Sequence, residues 1–249
     1  MKNRKNLYIG LIGLLVVIVA VVWFMYSRSA TVLVVTPASA SKIFVDNVDR
    51  AESREDNEVV KIGMRPGEHE ILVNSKGAWP WSKTITVGYK ETKTLMPFNV
   101  PLGVSGQIVT SKDPDYASLL KRVKTSNLPT SENPKVSTDG KISVFVSGNS
   151  IIALGEGLCS AETLKAACPP VTVFEGTETV SGLDFYKERN DVLVFSVGKG
   201  IFVIEIKGQG TQNFQPLYQG GNPRFFIDRA LDPVRIYIFD AENLMEVFL

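Results

Sequence analysis

Few residues in this chain have types and spacing suited to chemistry. His69 is the only histidine. It stands just after a Pro66-Gly67 turn, where a lone imidazole reads as a structural strand residue. A zinc site would need a second histidine or nearby cysteines, and a histidine-based triad would have to use this one ring. Asp184, Glu205, Asp228 and Asp240 are the carboxylates that could pair as a glycosidase acid and base. No spacing selects two of them, and Glu205 follows Ile201 and Val203 on an alternating strand. There is no Gly-rich phosphate loop leading into a helix, no nucleophile elbow and no acidic calcium loop. The sequence therefore assigns no catalytic residue, no metal ligand and no cofactor.

Cys159 and Cys168 are the only cysteines. Outside the cytoplasm such a pair is expected to form a disulfide that staples one short loop. A redox-active pair would more commonly be spaced by two residues. Trp79 and Trp81, at i and i+2 on an extended segment, point the same way. Packing on a small core is the favoured reading of both rings, and stacking on sugar rings is the alternative.

These residues sit behind an apolar run. Residues 7–26 (LYIGLIGLLVVIVAVVWFMY) carry no charge over 20 positions. A helix rises about 1.5 Å per residue, so the run matches a hydrocarbon core of roughly 30 Å. Tyr8, Trp23 and Tyr26 suit the two interfaces, and Lys2, Arg4 and Lys5 place the N-terminus in the cytoplasm. Residues 1–6 are then a cytoplasmic tail, residues 7–26 a signal-anchor helix in the lipid bilayer, and the bulk is extracytoplasmic. A cleaved signal peptide is the alternative, with Ser27, Ser29 and Ala30 available to a peptidase. The three basic residues before the run aside, 24 basic residues face 26 acidic ones. That balance argues against a nucleic-acid partner.

Residues 31–99 change to period-two patterning. Thr31 to Val35, Lys42 to Asp46, His69 to Asn74 and Lys83 to Val87 read as short strands, with turns at Pro66-Gly67 and Ser75-Lys76-Gly77. Thr36-Pro37-Ala38, the run Met64 to Ile71, Lys76-Gly77-Ala78-Trp79-Pro80-Trp81 and Thr84 to Val87 together resemble the PEGA domain family. The resemblance implies a small β-sandwich-like module on a prokaryotic cell surface. Asn47 stands where that family has glycine after its "V-x-V-D" strand, and Asp49 to Asn57 is a longer, charged insertion.

Residues 100–132 read as a linker with one short helix. Asp113-Pro114 is the expected start, and Tyr116, Leu119, Leu120 and Val123 fall at helical spacing. Residues 133–249 contain an internal repeat. Ile142 to Leu154 aligns with Val192 to Ile204 at an offset of 50, and Arg235 to Val247 aligns with the second copy at an offset of 43. Each copy reads as a hairpin with turn residues at its tip. Val171 to Phe174 and Phe214 to Tyr218 follow two of the copies, so the unit approaches four strands, the size of a propeller blade. Ser137-Thr138-Asp139-Gly140-Lys141 resembles the "SPDGK" turn of WD40-like repeats in TolB-type propellers. Three units are too few for a usual closed propeller, and the last stops at its third strand. A partial or compressed propeller-like array is expected, completed alone or by a partner chain.

The fold class expected is therefore mainly β: a transmembrane helix, a small PEGA-type domain, then propeller-like repeats. The function expected is a membrane-anchored binding or scaffold protein of a prokaryotic envelope, contacting protein or cell-wall glycan. Self-association is left open. An envelope-associated carbohydrate-active enzyme using a carboxylate pair is the alternative.

Overall fold

A computed structural model describes residues 13–19, 29–38, 40–125, 128–156, 158, 168–206, 210–231 and 233–248. Most of the expected anchor lies outside the described residues. Of that segment, residues 13–19 are helical, and the apolar side chains of residues 14–19 are exposed. Among the described residues no helix is long and apolar enough to cross a membrane. The protein is mainly β, as the patterning predicts. It divides into two compact units, one holding residues 1–73 and 84–98, the other residues 74–83 and 99–249.

In the first unit, β1 (Ala30–Val35) pairs antiparallel with β4 (Val59–Met64) and parallel with β7 (Thr92–Leu95). The second sheet has the order β3 (Val48–Glu52), β2 (Lys42–Val45), β5 (Gly67–Asn74) and β6 (Trp81–Val87), of which β5 and β6 run on into residues 74–83. Alternation decides which side chains leave water. Ala30, Val32 and Val34 on β1, Ile43 and Val45 on β2, and Ile71 and Val73 on β5 are all buried. The β2–β3 turn places Asp46 at φ 52° and Asn47 at φ 63°. Asparagine tolerates this left-handed region better than most side chains, so Asn47 serves where glycine was expected.

The second unit carries three four-stranded sheets. The first runs β9 (Lys135–Val136), β10 (Ile142–Ser147), β11 (Ser150–Gly155), β12 (Val171–Glu175). The second runs β13 (Val180–Phe185), β14 (Val192–Val197), β15 (Gly200–Glu205), β16 (Phe214–Gln219). The third runs β17 (Arg224–Asp228), β18 (Arg235–Asp240), β19 (Asn243–Phe248) and then β8 (Gly106–Val109). The third sheet thus gains its fourth strand from the segment that precedes the first repeat. No closed propeller forms among the described residues.

Two-residue turns close the three repeat hairpins. Gly148 and Gly198 take φ of 60° and 55°, whereas the third turn holds Ala241 at 46° and Glu242 at 64°. The second sheet is buried on both faces: Val192, Leu193, Val194 and Phe195 are all inaccessible. Leu193 and Phe195 join Val144, Ile151 and Val173 of the first sheet in one core. β13 also packs on β17, where a Cβ at Gly182 would lie 3.0 Å from the Phe225 ring. The helix Tyr116–Lys124 buries Leu119 and Val123 with Tyr237, Leu244 and Val109 of the third sheet. It begins two residues after Pro114, because Asp113 is used elsewhere: its carboxylate accepts the Thr110 amide at 2.6 Å and the Thr110 hydroxyl at 2.9 Å.

Candidate functional site

The outer strands of the first two sheets repeat in detail. Ile151 lies opposite Phe174 and Ile201 opposite Tyr218; each pair is followed by a one-residue bulge. The inserted residues, Val173 and Leu217, are both buried. Beyond the bulge the backbone repeats again. The Gly176 amide donates to the Asn149 carbonyl at 3.2 Å, and the Gly220 amide donates to the Lys199 carbonyl at 2.8 Å. Phe174-Glu175-Gly176 and Tyr218-Gln219-Gly220 are therefore the same structural element in successive sheets.

In both elements the ring lies across its glycine. A Cβ would come within 2.8 Å of the Phe174 ring at Gly176 and within 2.7 Å of the Tyr218 ring at Gly220. Phe202 lies over Gly200 in the same way, with its ring 2.5 Å from where a Cβ would stand. Glycine has no side chain to hold the ring off the backbone, so each ring closes onto it. Between the two elements is a cavity of about 610 Å³, with Phe174, Glu175, Glu178, Lys199, Phe202 and Tyr218 in its lining. Phe214, 47% exposed, stacks between two of the rings: its centroid is 5.1 Å from Phe202 and 6.3 Å from Phe174, with planes 16° and 14° apart. Buried Phe195 braces Phe174 from beneath at 4.6 Å.

The Tyr218 hydroxyl donates to Asp240 at 3.1 Å, and Asp240 also accepts the amides of Gly221 at 3.0 Å and Asn222 at 2.9 Å. Burial works to raise the Asp240 carboxyl, but these donors outweigh it and hold the group below its ordinary range. Burial and the neighbouring carboxylate push the Tyr218 phenol up. The phenol is therefore a fixed donor to Asp240, which locks one wall of the cleft.

The other three carboxylates considered as acids or bases are held in ion pairs. Asp184 receives Lys135 at 3.1 Å and Arg229 at 2.8 Å; Asp228 receives Arg122 at 3.0 Å. Glu205 pairs with Lys83 at 2.7 Å, both side chains largely enclosed, and accepts a hydrogen bond from the Asn213 side-chain Nδ2 at 3.2 Å. His69 sits in the first unit, bonded to the Asp46 carboxylate at 2.7 Å and the Arg65 carbonyl at 2.8 Å. Among the described residues no group of three or more histidines, cysteines and carboxylates is placed to hold a metal ion.

Trp81 is 1% exposed, and Trp79 is half-buried with its amide donating to the Val100 carbonyl at 2.8 Å. An enclosed ring offers no face to a sugar. Cys159 lies outside the described residues, whereas Cys168 is inside them. Sequence reasoning marked the stretches Val171–Phe174 and Phe214–Tyr218 as repeat flanks without seeing the site. The available signal was an aromatic-X-glycine triplet at the end of each. No family model and no curated protein matches the chain.

Proposed function

We propose that this protein is a membrane-anchored binding protein of a prokaryotic envelope, and that the cleft between β12 and β16 is where it holds its ligand. One observation carries this reading: an open cavity walled by equivalent aromatic elements, with the hydroxyl of one wall residue, Tyr218, committed to Asp240. Such a mix of apolar faces and a few polar groups is the usual make-up of a ligand site. The anchor rests on the 20-residue uncharged run and its basic flank. The PEGA-like reading of residues 31–99 is supported by two small sheets around a shared pattern of buried alternate residues. The propeller-like reading of residues 133–249 is supported by three successive four-stranded antiparallel sheets. In this reading Cys159 and Cys168 form a disulfide, as an extracytoplasmic location allows. The ion-paired state of Asp184, Asp228 and Glu205 weighs against the alternative of a carboxylate-pair enzyme.

The test is co-sedimentation of the full chain, in detergent micelles, with insoluble cell-wall glycan, alongside chemical crosslinking to envelope proteins. Retention that is lost in a folded Phe174→Ala/Tyr218→Ala variant supports the reading. Retention by neither material, or the release of new reducing ends from the glycan, overturns it.

A further inference from the structure

Resting on that reading, we infer that the cleft takes a neutral or amino-sugar oligosaccharide, spanning at least two sugar units, with one unit on each aromatic-X-glycine element. The first argument is the duplication itself. Phe174 and Tyr218 occupy one ladder position, Glu175 and Gln219 the next, and Gly176 and Gly220 the one after. A site that presents an aromatic ring and a hydrogen-bonding side chain at matching positions twice is matched to a ligand that repeats. The third sheet breaks the series: Leu244 lies opposite Val109, so no ring occupies that place. The duplication is confined to the two elements that wall the cavity.

The second argument concerns what each element offers. Phe174 and Tyr218 both line the cavity, and an aromatic ring suits the C–H face of a pyranose. Glu175 and Gln219 are exposed beside those rings and supply oxygen acceptors for sugar hydroxyls. The third argument excludes an added peptide strand. Strand addition needs a regular row of free backbone groups. Here both edges are interrupted by a bulge, and Pro216 has no amide hydrogen to give. Bulges and prolines are established ways to blunt an edge. The fourth argument is charge. The cavity lining carries two carboxylates, Glu175 and Glu178, and a single cation, Lys199, so a polyanionic chain meets net repulsion.

The experiment is calorimetric titration of the full chain in micelles with neutral gluco- and N-acetylglucosamine oligosaccharides of one to six units. A sulfated or uronic-acid polymer serves as the charged arm. Affinity should rise at least about tenfold from the monosaccharide to the tetrasaccharide, because the second element engages at high effective concentration. The exposed substitutions Glu175→Ala and Gln219→Ala should each weaken binding without altering the melting transition, and Phe174→Ala should remove the dependence on chain length. Binding independent of length, tighter binding of the polyanion, or indifference to these substitutions overturns the inference. If no sugar binds while envelope material is still retained, the ligand class is wrong and the binding reading stands. If neither is retained, both fall.

Discussion

Lys135 and Asp184 hold the same ladder position in successive sheets, and their side chains meet at 3.1 Å. Lys135 lies opposite Val144 and Asp184 opposite Val194, residues 50 apart in the repeat. The repeat thus places a cation and an anion at one structural address and lets neighbouring sheets neutralise each other. Arg229, just after β17, brings the third sheet to the same carboxylate.

Asp184 is therefore a joint among three sheets, and Lys135 only a contributor. Replacing Asp184 with alanine strands Arg229 and Lys135 together. We expect a loss on the order of 2–3 kcal/mol, since an uncompensated, partly enclosed charge is costly. Lys135→Met should cost less than about 1 kcal/mol, because Lys135 is substantially exposed. Urea unfolding of both variants decides the ranking; equal losses would show that the joint has no centre.

The Lys83–Glu205 pair is more deeply enclosed. Lys83→Met leaves Glu205 with the Asn213 amide alone and should cost about 3–5 kcal/mol. Adding Glu205→Leu should recover much of that loss, as hydrophobic replacement of a whole buried pair often does. A double-mutant cycle showing no recovery would mean that the pair's geometry, not its charge balance, is what the strand needs.

His69 and Asp46 give the first unit a defined pH response. Burial of the imidazole opposes protonation, but its bonds to Asp46 and the Arg65 carbonyl prevail and raise it above its ordinary 6.5. The His69 bond comes first among the causes that lower Asp46 below 3.8. A raised histidine contributes stability that is complete below about 6.5 and lost as pH rises through its folded value; a lowered aspartate contributes stability lost as pH falls below about 3.8. This pair's contribution should therefore be greatest between those limits. Melting curves of His69→Asn against the parent should differ most near pH 5–6 and converge near pH 8–9. A constant difference would disprove the coupling.

Gly106 is where β8 joins the third sheet. A Cβ there would lie 2.1 Å from the Glu246 carbonyl oxygen, a backbone atom that no rotamer can move. Gly106→Ala should cost about 1–3 kcal/mol by overpacking. Hydrogen exchange should then speed up along β19 before any other strand.

The sequence made the hairpins of the repeats plain, because alternation and turn residues recur at a fixed offset from Ile142 to Val192. It hid β8. Gly106–Val109 has only Val109 buried, with Ile108 62% exposed, so no periodicity marks it as a strand. Its pairing with β19 is set by a backbone approach that only the fold reveals. The two tryptophans show the same limit: i and i+2 spacing puts side chains on one side of a regular strand, but β6 begins at Trp81 and leaves Trp79 outside it. Likewise, Phe174 and Tyr218 are visible as aromatics, whereas their equivalence depends on the bulges at Val173 and Leu217. The loop before β12 is longer than that before β16, which shifts these bulges out of the offset that aligns the hairpins.

Gln107 and Glu246 bond at 2.7 Å across a separation of 139 residues. A chain emerging N-terminus first must hold β8 without a partner while every repeat is made, and closure over such a distance is slow. The third sheet cannot finish before its last strand arrives.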